Sequence, residues 1–141
     1  MRYILDTSVL VAGLRSRSGA SFILLQTVGA ANLQLLASPA LFLEYEAVLK
    51  REQHGLTVRD VDGFLDELAL KIEPVEIHYI WRPLLMDVQD EMVIEAAING
   101  RADAIVTHNK RDFELAAPRF GIRVLSPAEV LEESKRQGVR P

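Results

Sequence analysis

Residues 3–10 read YILDTSVL, an apolar run that ends in a carboxylate followed by two hydroxyl side chains. Residues 3–5 are typical of a short buried strand, so Asp6 falls where this strand leaves the sheet. In open α/β sheets, ligands collect beyond the carboxyl ends of the strands. Asp6, with Thr7 and Ser8 directly after it, is therefore a candidate metal or phosphate site.

The composition is that of an ordinary globular protein. At 141 residues, of which 49% are apolar and 26% charged, the chain is predicted to form one domain spanning residues 1–141. It contains no cysteine, which excludes disulfides and thiolate zinc sites and fits a reducing cytoplasm. Neither a signal peptide nor a membrane-spanning run is evident, so we expect a cytoplasmic protein without a membrane segment.

The net charge of −4 argues against a protein that coats nucleic acid, which would usually be basic. An enzyme that acts on nucleic acid through bound divalent cations is still compatible with this charge, because the cation inverts the local sign of an acidic pocket. The positions of the acids therefore matter more than their total.

Predicted strands and helices alternate along the chain. Further strands are predicted at residues 33–37, 72–77, 104–107 and 123–125, and helices at residues 20–28, 39–52, 58–70, 87–99 and 127–135. This alternation implies right-handed crossovers and a parallel sheet of about five strands that is covered on both faces. We therefore predict an α/β fold, with Gln137 to Pro141 as a flexible tail.

Acidic residues recur where such a sheet would gather them. Asp6 ends the first strand, Asp90 lies in the first turn of a helix, and Asp112 follows the strand at residues 104–107. Glu44 and Glu46 flank the apolar face of the helix after the second strand, and helical periodicity does not choose between them. All these positions can meet at the carboxyl edge, where clustered carboxylates suit Mg²⁺ or Mn²⁺.

Each acid also has a purely structural interpretation. Asp6 alone is as consistent with a helix cap or turn as with a ligand. Asp87 is interpreted as a helix N-cap, and Asp90 could be only a favourable charge at a helix N-terminus. Asp103 precedes its strand and is assigned to the opposite edge of the sheet. The common edge of the remaining acids is what favours a functional site.

Three segments together resemble the PIN-domain ribonucleases, and more narrowly their VapC-like members, the toxins of toxin–antitoxin pairs. They are ILDTSVLVAGL (residues 4–14), SPALFLEYEAVLKR (38–51) and DVQDEMVIEAAINGRADAIVTHNKRDF (87–113). The resemblance implies a three-layer α/β/α sandwich around a parallel sheet. It also implies that acids at the carboxyl edge hold Mg²⁺ or Mn²⁺.

Carried over by position, the family's acids correspond to Asp6, Glu44 and Asp90. The fourth acid usually lies two residues after the threonine that closes the fourth strand, and that position is Asn109 here. Asparagine can offer a carbonyl oxygen to a metal but brings no negative charge. Asp112, three residues further on, is the carboxylate that could complete the site.

Other residues are assigned supporting roles. Thr7, Ser8 and Thr107 could position a ligand or a water by hydrogen bonding. Arg15, Arg17, Lys110 and Arg111 are candidate contacts for substrate phosphates, although solvated loop charges explain them equally well.

The resemblance implies a metal-dependent endoribonuclease that hydrolyses RNA phosphodiester bonds and is neutralised by a cognate antitoxin protein. It also implies a homodimer, and Phe42, Leu43 and the helix at residues 58–70 are candidate partner contacts. Asn109 motivates the alternative of a PIN-like binding module with a degenerate metal site. A third interpretation, phosphoryl transfer with Asp6 as nucleophile, lacks the partner acid, since Ser8 stands at that position.

Overall fold

The computed structural model describes residues 1–28, 33–80, 85 and 87–136. Its strands are β1 (Arg2–Leu5), β2 (Gln34–Ala37), β3 (Ile72–Pro74), β4 (Ala104–Val106) and β5 (Arg123–Leu125). Its helices are α1 (Thr7–Arg15), α2 (Ala20–Thr27), α3 (Pro39–Leu49), α4 (Val58–Ala69), α5 (Val88–Asn99) and α6 (Pro127–Arg136). The five strands are all parallel, in the order β3-β2-β1-β4-β5, which confirms the predicted α/β fold. The predicted tail, Gln137 to Pro141, lies outside the described residues.

The sheet is covered on both faces. Successive side chains of a strand point to opposite faces. In β4 all three residues are buried, and in β1 and β2 the last three residues are buried. Only layers on both sides of the sheet bury consecutive positions in this way. The edge strands β3 and β5 are more exposed, as expected for the borders of a three-layer sandwich.

The predicted helix starts are confirmed by their caps. The Ser38 hydroxyl accepts a hydrogen bond from the Leu41 backbone N–H (3.1 Å), and Asp87 accepts one from Gln89 N–H (2.8 Å). Asp87 is thus the N-cap of α5, as the sequence predicts. Within the described part of the chain, no helix is long and apolar enough to cross a membrane.

The structure differs from the sequence prediction at α1, at the end of α3 and at β3, which ends at Pro74 rather than at residue 77. Helix α1 follows β1 at once and was not predicted, because its short apolar stretch shows no clear period by itself. It forms because Val9, Leu10 and Gly13 are buried, and a side chain at Gly13 would collide with Leu25 of α2. Helix α3 ends at Leu49 rather than near residue 52, and a separate 3-10 turn follows at Glu52–His54.

The strand order places a crevice next to β1. The chain runs from β1 outward to β2 and β3, then returns to β4 on the other side of β1. Such a reversal opens a crevice between the carboxyl ends of the two central strands, where ligands bind in open α/β sheets. Leu5 pairs with Val106 at the carboxyl ends of β1 and β4. Asp6 and Thr107 directly follow these two strands and therefore lie at the crevice.

Tyr45 fixes the end of β1 from α3. Its side chain is buried, and its hydroxyl donates a hydrogen bond to the carbonyl oxygen of Leu5 (2.5 Å). Burial raises the pKa of this phenol, and Asp6 raises it further, so the hydroxyl stays protonated and remains a donor.

We expect Tyr45→Phe to lower the free energy of unfolding by about 1–2 kcal/mol, because it leaves a buried carbonyl without its donor. Urea titration followed by circular dichroism measures the effect. A variant as stable as the wild type would contradict this role for the hydroxyl.

Candidate active site

Asp6 occupies an N-cap position without acting as a cap. It precedes α1, yet its side chain accepts no capping hydrogen bond from the helix backbone. Instead its Oδ2 accepts hydrogen bonds from the hydroxyls of Ser8 (2.7 Å) and Thr107 (2.8 Å). Its Oδ1 accepts none from any residue that the structure describes. This arrangement holds the carboxylate in one orientation and leaves one oxygen for a ligand.

The two hydroxyls also hold the loop after β4. The Ser8 hydroxyl accepts a hydrogen bond from the backbone N–H of His108 (3.2 Å), and the Thr107 hydroxyl accepts one from that of Asn109 (2.9 Å). Each hydroxyl therefore receives one hydrogen bond from the loop and donates one to Asp6. The loop is fixed relative to the carboxylate, as expected of supporting residues around a functional acid.

His108 is anchored rather than free. Its Nε2 lies 2.6 Å from the hydroxyl of Ser21, a buried residue of α2. His108 is an exposed residue, but this contact ties its loop to a second helix. The contact was not foreseeable, because Ser21 and His108 are distant in sequence and share no motif.

A cavity of about 710 Å³ opens at this edge of the sheet. Four predicted site residues line it, namely Asp6, Asp90, Asn109 and Asp112, together with Asp87, for which the sequence predicts a helix cap. Thr7 and Ser8 line it as well, at the start of α1. The structure thus gathers the acids of three segments in one cavity, as the shared strand edge predicted.

The acids lie close enough to influence one another. The pKa of Asp90 is raised from 3.8 to about 7, first by burial, and then by the negative charges of Asp6, Asp112, Asp87 and Glu91. A carboxyl surrounded by like charges ionises with difficulty unless a cation is nearby. The cavity is therefore a place where positive charge is favoured.

The oxygen-bearing side chains that line the cavity are of the types that bind a hard divalent cation, although they do not surround a metal position as they stand. Carboxylate oxygens and an amide oxygen are the ligands that Mg²⁺ and Mn²⁺ prefer. Among the residues that the structure describes, no three His, Cys, Asp or Glu side chains already form a metal-binding group. To coordinate one metal ion, these side chains would have to move slightly, and water would supply the further ligands. Mg²⁺ usually keeps several waters.

Glu44 and Glu46 lie outside the set of residues that line the cavity. The Glu44 side chain is 17% exposed and lies 3.9 Å from the Arg51 guanidinium, which does line it. Glu46 pairs with Lys50 (3.1 Å), which also pairs with Asp62 of α4 (2.7 Å). Of the two, Glu44 is thus connected to the cavity through Arg51.

The predicted phosphate contacts separate into two groups. Arg15 lines the cavity, whereas Lys110 and Arg111 do not, and Lys110 is bound to Glu129 (2.9 Å). The lining residues that sequence reasoning missed include Arg51, Gln53 and His54, which follow α3 directly. No sequence pattern pointed to them, because their approach depends on how α3 packs against α1.

Taken together, the fold and this site define an α/β protein with an acidic centre at the crevice of a five-stranded parallel sheet. The PIN domain family model matches residues 2–111, most of the chain. The chain therefore belongs to the PIN domain family, a family of nucleases.

Two solved structures share the fold. The crystal structure of VapBC2 from Rickettsia felis, bound to a DNA fragment from their promoter, contains a chain with a TM-score of 0.64 and 17% identity. The match covers 89% of this chain and 98% of that one. VapBC-1 from nontypeable Haemophilus influenzae gives a TM-score of 0.59 and 15% identity, covering 91% and 99%. No curated protein matches the chain significantly.

Proposed function

We propose that this protein is a metal-dependent endoribonuclease and the toxin of a type II toxin–antitoxin pair. The observation that carries the proposal is the convergence of Asp6, Asp90, Asp112 and Asn109 on one cavity at the crevice beside β1. Membership in a nuclease family supports hydrolysis of nucleic acid as the reaction.

The carboxylates of Asp6, Asp90 and Asp112 and the amide oxygen of Asn109 are the proposed ligands for Mg²⁺ or Mn²⁺. A bound divalent cation would activate water and neutralise charge on the phosphoryl group. Ser8 and Thr107 keep the Asp6 carboxylate oriented by donating hydrogen bonds to its Oδ2. Glu44 is proposed to reach the site once its contact with Arg51 is released.

The fold resemblance to VapBC structures supports an antitoxin protein as partner. An apolar hollow of about 420 Å³ contains Phe42 and Leu43, and Leu43 is 66% exposed. These are the residues for which the sequence predicts partner contacts. The homodimer and the cytoplasmic location stay predictions.

A binding module without cleavage is the alternative. Asn109, a neutral side chain where the family usually has an acid, favours it, as does the absence of a closed metal group among the described residues. Calorimetric titration with Mn²⁺ separates the two functions. Binding at millimolar metal or tighter supports the enzyme, and no heat of binding supports the module.

We expect the purified protein to cut a labelled RNA of mixed sequence in the presence of Mg²⁺ or Mn²⁺, and to stop cutting when a chelator is added. Gel analysis of the fragments measures this directly. Cleavage that continues unchanged in excess chelator would contradict metal dependence. Absence of both cleavage and metal binding would contradict the enzyme altogether.

A further inference from the structure

The cavity extends well beyond its acidic centre. Asp6, Thr7, Ser8, Val11, Ala12, Arg15 and Ser16 all line it, so it follows one face of α1 along its whole length. At a rise of about 1.5 Å per residue, the helix from Thr7 to Arg15 separates the two ends of the cavity by roughly 13 Å. A single phosphodiester held by the acids would leave the far end empty.

The far end is basic. Helices α1 and α3 both leave the carboxyl edge of parallel strands and pack against each other, so their C-terminal ends lie together. Arg15 ends α1, and Arg51 follows α3. Arg15 forms no ion pair with a described residue, and Arg51 has only the long 3.9 Å contact with Glu44. Two guanidinium groups that form no close ion pair with a described residue therefore line the cavity.

His54 gives an independent sign of a missing ligand. It lines the same cavity and follows Arg51 and Gln53 in the segment after α3. Both of its ring nitrogens are buried, and neither has a hydrogen-bond partner among the described residues. A buried polar group without a partner costs free energy that a bound polar ligand recovers.

We propose that Arg51 and Arg15, with His54 beside them, form a second subsite that binds a phosphodiester beyond the immediate neighbour of the scissile one, because adjacent backbone phosphates lie too close together to span the cavity. The proposal rests on the proposed nuclease function and specifies how the RNA lies in the site. The RNA strand runs along α1, with the scissile phosphate at the acids and a phosphate further along the RNA between the two guanidinium groups. Arginine suits this role because its planar fork matches phosphate oxygens.

The test uses a short RNA that the wild-type enzyme cuts at one position. In a series of substrates, each linkage near the cut is replaced in turn by a neutral methylphosphonate on a 2′-deoxy sugar, with a 2′-deoxy phosphodiester as control. A methylphosphonate at one position near the cut should raise KM about tenfold while kcat changes less than about twofold, because ground-state binding is lost. Arg51→Ala should raise KM for the unmodified RNA by a similar factor.

Measuring the methylphosphonate substrate with the Arg51→Ala variant decides the proposal. In Arg51→Ala, the methylphosphonate at the sensitive position should raise KM by a smaller factor than in the wild type, because one of its two partners is already gone, and in Arg15→Ala/Arg51→Ala by less than about twofold. The salt dependence of log KM should also become shallower by about 0.7 per lost contact. Arg59→Ala, which removes an exposed arginine of α4 that does not line the cavity, should leave both quantities unchanged.

If the increases in KM caused by Arg51→Ala and by the methylphosphonate multiplied in full, the subsite would be overturned. The same holds if the wild type showed no sensitive position near the cut. Arg15→Ala gives a second variant if Arg51→Ala does not fold. Cleavage of the unmodified RNA by the wild type is read separately, so failure of the nuclease function is distinguishable from failure of the subsite.

Discussion

Asp6→Asn is expected to lower kcat/KM for RNA cleavage on the order of a thousandfold, equivalent to about 4 kcal/mol of transition-state stabilisation. The substitution keeps the shape of the side chain but removes the charge at the centre of the proposed metal site. Asp6 is 5% exposed and held by two hydroxyl donors, so neither bulk water nor a flexible neighbour can replace its charge.

Asp66→Asn provides the matched control, since Asp66 is an exposed residue of α4 and does not line the cavity. It removes the same charge from the protein and should leave kcat/KM unchanged. Cleavage of labelled RNA is measured for all three proteins, with circular dichroism to verify folding. If the Asp6 variant cut RNA as fast as the wild type, the proposed site would be wrong.

Asp90→Asn is expected to abolish cleavage and at the same time to stabilise the metal-free protein at pH 8. The pKa of Asp90 is raised from 3.8 to about 7 by burial and by neighbouring acids, Asp6 first among them. The ionised carboxylate therefore costs the folded state free energy. The shift is large, but Asp90 is partly exposed, so after solvent screening we expect a gain of about 1–2 kcal/mol.

The sign of the pH dependence follows from proton binding. The folded state holds the Asp90 proton more tightly than the unfolded state, so the stability of the wild type falls as pH rises from about 4 to about 7. Below pH 4 both states are protonated, and the difference between wild type and variant should vanish. Urea titrations at pH 4 and pH 8 without metal measure this difference. Equal stability of the two proteins at pH 8 would contradict the repulsion.

Metal ions give the complementary check. Mn²⁺ should raise the Tm of the wild type, because a ligand that binds only the folded state stabilises it. The same concentration should raise the Tm of Asp90→Asn much less. An equal rise in both proteins would show that Asp90 is not a ligand.

The alternation of strands and helices was enough to predict the parallel sheet, because a buried parallel strand is apolar at consecutive positions. It was not enough to predict α1, whose short apolar stretch lacks a period and forms a helix only against α2. The predicted caps were confirmed at Ser38 and Asp87, since capping depends on residues close in sequence.

The candidate site, too, was predicted in part from the sequence and in part only seen in the structure. Asp6, Asp90 and Asp112 were predicted to share an edge, because strand ends and helix starts of a parallel sheet lie on one side. The choice between Glu44 and Glu46 could not be made, since both border the same apolar face. It depends on side-chain contacts, and only the structure shows that Glu44 faces Arg51 while Glu46 faces Lys50.

The sequence by itself determined the fold class, the family and the residues that could carry acid chemistry, because these depend on local patterns and on the order of elements. The tertiary structure alone decided which hydroxyls hold Asp6 and how strongly Asp90 is perturbed. It also decided which cations share the cavity with the acids. These properties arise between Ser8, Thr107 and the segments after α1 and α3, which approach one another only when the helices pack on the sheet.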